Sequence, residues 1–540
     1  MKHDIDYPEI ERYARYLSTS QKQSILSDKT ANDLNFEELF AYLDLTTSKV
    51  GQQYFYAKLR SNELTPYQDR HEAITQHFST NSGFALETEK QLIKLSKNDA
   101  YSIISLFTKP LPTVTKLYYF LINVLRFVPF ICAGLTALFP SQFFFILTFI
   151  SLIVNALFHY SNKSLQIPFQ NSIPQLMKLH KVCQVLVKEP RFDSISADVP
   201  DALESLKPIN KISSLFRVEQ LLQSELAALV WLIMELFRIL FLTEPYLFHK
   251  TIKLINGKQG EIETLYSFVG EIDSLLAIAN IRKLDGDVCL PSIDEQNDRL
   301  SFSGLYHPLI EGCVTNDLAV RDASILLTGS NMSGKSTFIR SVGVNTLLAQ
   351  NINTCFAKEF KLKRRLTLQS MITVGDDLIN SKSLFFEEVL SVKEMLDACE
   401  TGQHLFLLDE IFKGTNTLER VAAAKAVLAQ LIKNDNLVFV STHDIELAEL
   451  LHAEYALYHF CEHISSTEVA FDYLLKPGKL TSFNAIKILK MSGYPDALIQ
   501  DAYDTISQWA SKDWKSNLQS NQNHLNGKDS NLRSNFFHLK

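Results

Sequence analysis

Nine consecutive residues, Gly329-Ser330-Asn331-Met332-Ser333-Gly334-Lys335-Ser336-Thr337, carry the most specific chemistry in the chain. The stretch Gly329 to Ser336 fits G-x-x-x-x-G-K-[ST], the spacing of a loop that cradles phosphate groups. Glycine at Gly329 and Gly334 lets the backbone come close to phosphate oxygens and turn its N–H groups toward them. Lys335 is placed to reach the β- and γ-phosphates, and Ser336 to put its hydroxyl on Mg²⁺. The apolar run Ile325-Leu326-Leu327 reads as a strand entering the loop. A helix beginning near Lys335 adds the positive end of its dipole.

A second stretch supplies the rest of a hydrolytic site. His404-Leu405-Phe406-Leu407-Leu408 reads as an apolar strand ending in Asp409-Glu410. Asp409 would hold Mg²⁺, directly or through water, and Glu410 would orient and polarise the attacking water as general base. Leu437-Val438-Phe439-Val440-Ser441-Thr442 reads as a further strand, ending at His443. A histidine there is suited to sense the γ-phosphate through a hydrogen bond. The implied chemistry is that of an ATPase (ATP and water to ADP and phosphate), with ATP and Mg²⁺ as the bound species.

Several motifs together resemble the MutS family. Thr328 to Thr337 is similar to T-G-x-N-M-x-G-K-S-T, including the pair Asn331-Met332. Asp409 to Thr417 is similar to D-E-hydrophobic-x-x-G-T-x-T, and Asp376 to Glu388 resembles D-D-L-x-x-G-x-S-x-F-x-x-E. Tyr306-His307-Pro308-Leu309 matches the entry to the family's ATPase domain, and Ser482 to Ala502 looks like its closing helices. The resemblance is strong over about 300–506 and weaker over 40–80 and 215–285, which look like pieces of the MutS core and lever. It implies a homodimer with composite sites, in which Ser383 serves the partner's nucleotide. It also implies that Asn331 lies near the nucleotide and Val314 beside the adenine. This chain departs from the pattern at Cys313, where the family has an aromatic residue, and at Ser381, where it has glycine. DNA as a partner follows from the resemblance alone. No Phe-x-Glu stands in a glycine-flanked context, and about 40 residues precede the core-like helices, too few for a mismatch-reading domain.

These residues need a scaffold, and the 540-residue chain is long enough for about three domains. Apolar residues make up 46%, and the net charge of −7 excludes a globally basic nucleic-acid binder. Seven scattered Cys without C-x-x-C spacing point to reduced thiols. The polar start Met1 to Asp6 lacks a signal-peptide core. Residues 1–110 read as helical, with apolar periodicity in Phe36–Leu43 and Gln52–Leu59 and a solvated face at Glu37 and Glu38. No Asp, Glu, Lys or Arg occurs between Arg126 and Lys163. Two segments there, 117–139 and 142–160, meet the roughly 20 apolar residues of a spanning helix. Lys109, Lys116 and Lys163 flank the pair, which puts both ends on the cytoplasmic side. Arg126 and Asn123 favour the other reading of 111–164, a buried helical hairpin. Residues 165–299 return to helical patterning. There Leu221–Leu242 reads as a core helix, or in a second reading a third span, with a Glu235–Arg238 pair. Gly270–Ala279 reads as an amphipathic helix. Residues 300–510 alternate strands and helices as a parallel sheet requires. The polar tail 511–540 reads as disordered.

The expected fold class is therefore α + α/β. A helical MutS core/lever-like N-terminal half carries a transmembrane hairpin, and a C-terminal P-loop ABC-type ATPase domain follows. The expected function is coupling of ATP turnover to conformational change on DNA. The expected location is a cytoplasmic ATPase domain attached to the cytoplasmic (inner) membrane. The alternative is a membrane-anchored scaffold or mechanical ATPase that does not recognise mismatched DNA.

Overall fold

Two glycines set how closely the central helices of the N-terminal half meet. Gly51 lies in helix Lys49–Leu59 and Gly270 in helix Gln259–Ile281. A Cβ on Gly270 would stand 2.5 Å from Cβ of Tyr54, and one on Gly51 would fall inside the Asp273 carboxylate. Only glycine admits that crossing. Helix Gln259–Ile281 is buried on every side from Phe268 to Ala279. The expected amphipathic face at Gly270–Ala279 is therefore not present. Helices Lys49–Leu59, Asp69–Thr80, Ser172–Leu186 and Val199–Ile212 pack around it and leave no solvent side.

The buried polar groups Glu271, Asp273 and Ser274 of this central helix are partnered. Burial raises the affinity of Glu271 for its proton, but Lys58 at 2.6 Å and the nearby His71 outweigh it and hold the carboxyl below its ordinary range. Asp273 accepts from Thr47 N (2.9 Å), Ser48 N (2.7 Å) and Ser48 Oγ (2.6 Å). Burial outweighs those bonds and pushes its pKa up to about 6. As expected, Phe36–Leu43 is a helix with Glu37 and Glu38 exposed, and Gln52–Leu59 lies within a second helix.

The structure is a computed structural model. It describes residues 5–20, 23–63, 69–112, 115–166, 169, 171–195, 197–212, 235–330, 332–372, 384–464, 469–480 and 485–511. The readings at Asn331, at Asp376–Ser383, at 221–234, at Ser482 and along the tail from 512 lie outside these residues. The chain divides into two units, Met1–Ser324 with Ser336–Val440 and Ile325–Lys335 with Ser441–Lys540.

In the larger unit, helices Lys116–Leu125, Val128–Leu138 and Gln142–Gln166 follow one another. Leu117–Leu138 and Gln142–Ser161, of 22 and 20 residues, are long and apolar enough to cross a membrane, and 17% of each window is buried. The Arg126 guanidinium stands at the break in the first of these, 4.5 Å from the ring centres of Phe127 and Tyr246. Glu235 pairs with Arg238 as expected (3.3 Å), and also with Lys163 (3.2 Å).

The first sheet is not the parallel one that the alternating pattern suggests. Strands β1 (Ser292–Ile293), β2 (Leu300–Leu305), β3 (Asn316–Val320) and β5 (Glu359–Leu362) form it in the order β1-β5-β2-β3. Here β2 runs antiparallel to both β3 and β5. Strand β4 (Ser324–Thr328) precedes the glycine loop. Strands β6 (Thr367–Met371), β7 (His404–Asp409) and β8 (Leu437–Thr442) follow in the order β8-β7-β6, with β6 and β7 parallel from Thr367↔His404 to Met371↔Leu408. In the smaller unit β9 (Tyr455–His459) lies beside β4, and β12 (Lys476–Pro477) runs antiparallel to β9. In the same unit β10 (Glu462–Ile464) pairs antiparallel with β11 (Val469–Phe471).

The outer edge of β6 is covered by side chains from the N-terminal helices. Asn62 donates to Leu368 O (3.1 Å) and accepts from Leu368 N (2.9 Å). Thr30 Oγ1 accepts from Ser370 N (3.2 Å). Asp33 accepts from Ser370 Oγ (2.6 Å) and Ile372 N (2.9 Å). Alternate residues of an edge strand thus have partners, as a buried edge requires.

Gly270→Ala should destabilise the full-length protein by about 1–3 kcal/mol through overpacking, read as a lower denaturant midpoint. An unchanged midpoint would show that the crossing relaxes without strain. The raised pKa of Asp273 makes its contribution to stability complete below the ordinary aspartate range and lost as pH rises through about 6. Asp273→Asn should abolish that part of the pH slope in equilibrium unfolding, whatever it does to the absolute stability.

Candidate functional site

The smaller unit holds the glycine loop up to Lys335. Strand β4 is wholly buried and delivers the chain to Gly329. Gly329 takes φ +155°, and a Cβ there would meet Phe460 O at 2.8 Å and Ser333 Oγ at 2.9 Å. The loop is stitched from inside. Ser333 Oγ donates to Ser330 O (2.8 Å), and Lys335 Nζ donates to Gly329 O (2.9 Å) and Ser330 O (2.8 Å). The buried ammonium therefore lies over the loop's own carbonyls. Around the loop, Ser330 Oγ donates to Glu462 Oε2 (2.7 Å), and Phe460 N donates to Thr328 O (3.0 Å). Tyr473 sits beside Gly334. Met332 is 82% exposed with φ +68°. His443 directly follows β8 and is exposed.

The larger unit holds the residues that follow in the motif. Helix Lys335–Ile352 continues through Ser336 and Thr337. Ser336 Oγ donates to Asp409 Oδ2 at 2.5 Å, and Asp409 ends the fully buried strand β7. A hydroxyl and a carboxylate are the oxygen donors that a hard divalent cation takes. Among the described residues no group of three or more His, Cys, Asp or Glu is placed to hold a metal. Beyond Asp409 the backbone turns sharply, with Glu410 at φ +53° and Phe412 at φ +62°. Left-handed backbone at two non-glycine residues persists only where the surroundings enforce it.

Glu388 is part of that enforcement. Its side chain is fully buried, and its Oε1 accepts from Lys413 N at 3.2 Å. Burial raises its pKa, with the Lys413 and Gly414 N–H groups pulling the other way. Phe385, one turn earlier on helix Leu384–Cys399, packs on Phe412 with ring centres 6.1 Å apart. Lys413 Nζ lies 3.3 Å from Glu410 Oε2. The sequence shows Glu388 only as the last residue of a motif, and nothing in local spacing reveals that it grips the backbone beyond Glu410. Glu462 and Tyr473 are likewise illegible, because they reach the loop from strands and turns more than a hundred residues downstream.

Val314 and Cys313 lie between β2 and β3. Cys313 Sγ accepts from His307 N (3.5 Å), and Val314 O accepts from Asn316 Nδ2 (3.4 Å). His307 is buried, which together with the Arg340 charge pushes its pKa down to about 4.

Residues 325–510 match the family model of MutS domain V. This stretch is what the chain shares with MutS proteins. The DNA mismatch repair protein MutS of Thermotoga maritima is 32% identical over 239 residues, which covers 42% of this chain and 29% of that protein. The namesake proteins of Natronomonas pharaonis and Petrotoga mobilis are 29% identical over 256 residues and 28% identical over 281. These cover 45% and 50% of this chain, and 29% and 34% of those proteins. The chain thus spans about a third of the length of the MutS relatives it matches.

Glu388→Ala should raise amide exchange at Lys413 and Gly414 by roughly tenfold, the loss of one buried hydrogen bond to a carboxyl. Unchanged protection would mean that Phe385 and Phe412 alone set the turn.

Proposed function

We propose that this chain is a MutS-type ATPase that binds and hydrolyses ATP with Mg²⁺, works as a dimer and is tethered to a membrane. The observation that carries the reading is the Ser336–Asp409 hydrogen bond, with Ser336 directly following Lys335 in the phosphate-loop motif. On this reading the N–H groups of Gly329 to Thr337, including Asn331 and Met332, bind the phosphates, and Lys335 leaves the loop carbonyls to pair with them. Ser336 and Asp409 would hold Mg²⁺, which neutralises charge on the phosphate oxygens. Glu410 orients the attacking water and accepts its proton, and the turn gripped by Glu388 sets its direction. His443 would sense the γ-phosphate, Val314 would lie beside the adenine, and Ser383 would serve the nucleotide of a second copy.

That the relatives are DNA mismatch repair proteins supports DNA as the partner on which ATP-driven change is exerted. Leu117–Leu138 and Gln142–Ser161 are long and apolar enough for a membrane hairpin, and the flanking Lys109, Lys116 and Lys163 favour the cytoplasmic face of the inner membrane for its ends and the ATPase domain. That same hairpin favours a second reading, a membrane-anchored mechanical ATPase that does not recognise mismatched DNA.

Glu410→Gln should retain ATP binding and lower turnover by about 10²–10⁴-fold, the ordinary worth of a general base. Unchanged turnover would remove Glu410 from its role, and absent ATP binding in the unaltered protein would remove the ATPase reading. Binding to duplex, mismatched and branched DNA across a salt series separates the two readings, because phosphate contacts give a steep salt slope. Carbonate washing should leave the protein in the membrane fraction; release would return the hairpin to a soluble core.

A further inference from the structure

Cys289 and Cys355 face each other across an isolated antiparallel bridge. Cys289 N donates to Cys355 O and Cys355 N donates to Cys289 O, each at 2.9 Å. In such a pair the Cα atoms stand about 5.5 Å apart and the side chains share one face. A disulfide spans Cα atoms about 4.4–6.8 Å apart, so a pair at this separation lies within its reach. The Cβ atoms of a hydrogen-bonded pair lie slightly wider than a relaxed disulfide takes them, which makes the bond readily reduced again.

The two thiols are unequal. Cys355 is fully buried and Cys289 is partly exposed. A hydrogen bond from Cys355 lowers the pKa of the Cys289 thiol, with burial and the nearby Glu359 and Asp287 opposing it. Burial raises that of Cys355. A partly exposed thiol favoured as thiolate, backed by a buried partner, is the arrangement of an attacking and a resolving cysteine.

The location gives the pair a consequence. Cys289 lies on the strap that leaves helix Gln259–Ile281 for the first sheet, and Cys355 lies just beyond the end of helix Lys335–Ile352. Arg282, at the start of the strap, already binds this corner. It donates to Thr354 Oγ1 (3.0 Å) and Asn353 O (3.0 Å), and holds both carboxylate oxygens of Glu72 (2.6 and 2.8 Å).

We propose that Cys289 and Cys355 form a reversible redox site, closing to a disulfide that ties the strap after the central helix to the end of the phosphate-loop helix. The oxidant is a low-molecular-weight disulfide such as oxidised glutathione. The Cys289 thiolate attacks one of its sulfurs, forming a mixed disulfide and releasing one glutathione thiolate, which takes up a proton. Cys355, losing its proton, then attacks Cys289 Sγ and releases the second glutathione. Two protein thiols and one glutathione disulfide become one protein disulfide and two glutathione thiols.

The test uses the full-length protein in non-denaturing detergent, equilibrated with reduced and oxidised glutathione, acid-quenched, alkylated and digested without reductant. Mass spectrometry should find the Cys289 and Cys355 peptides joined, with two fewer alkylated thiols per chain, reversed by dithiothreitol. Cys355→Ala should leave Cys289 as a persistent mixed disulfide, and Cys289→Ala should leave Cys355 unmodified. A wild-type protein that accumulates the Cys289 mixed disulfide with Cys355 still free would overturn the proposal. So would a bond from Cys289 to any other cysteine. The wild-type result decides the matter even if a variant fails to fold.

Discussion

The Asp33 carboxylate does the work of a missing strand. It accepts from Ser370 Oγ and Ile372 N, while Thr30 and Asn62 satisfy Ser370 and Leu368 along the same edge of β6. An unsatisfied buried N–H or C=O costs about 1–3 kcal/mol, so four such contacts bind the N-terminal helices to β6 far more firmly than apolar packing alone specifies. The same short helix, Asp28–Asp33, touches the sheet's other flank. Lys29 Nζ donates to Ser391 Oγ on helix Leu384–Cys399, and Asp33 O accepts from Arg340 Nε (2.8 Å). The segment 373–383 begins where Ile372 is held and ends where helix Leu384–Cys399 starts. The N-terminal helices therefore grip the chain on both sides of the segment that carries the signature-like motif.

The candidate site in the larger unit shows a related division of labour. Ser336 and Asp409 need only the meeting of a helix start with a strand end, and a 2.5 Å hydrogen bond records that they meet. Glu410 needs more, because its backbone sits where non-glycine residues are disfavoured. The buried Glu388 and the Phe385–Phe412 contact offset that strain. A residue whose direction matters is thus held by groups that touch no phosphate.

Much of this is legible in the sequence, for stated physical reasons. Strands β4, β7 and β8 are continuous apolar runs buried on both faces, so their ends, and the residues that follow them, can be placed from composition alone. The same is true of the uncharged run from 127 to 162, whose helices expose apolar side chains. The first sheet is not legible as mixed, because its alternating strands carry no mark of direction. Helix Gln259–Ile281 misleads because Glu271 and Asp273 give Gly270–Ala279 an amphipathic pattern, whereas Lys58, Thr47 and Ser48 neutralise or bond them inside the core. Asp33, Asn62, Glu388 and the Cys289–Cys355 pair act across long stretches of chain, where spacing carries no information.

The most direct test of the central claim is calorimetric titration of the full-length protein with ATP, with and without Mg²⁺, beside Asp409→Asn and Lys335→Ala. The account predicts saturable binding that strengthens with Mg²⁺, loses its Mg²⁺ dependence in Asp409→Asn and is abolished in Lys335→Ala. Binding of equal strength in all three proteins, indifferent to Mg²⁺, would contradict it.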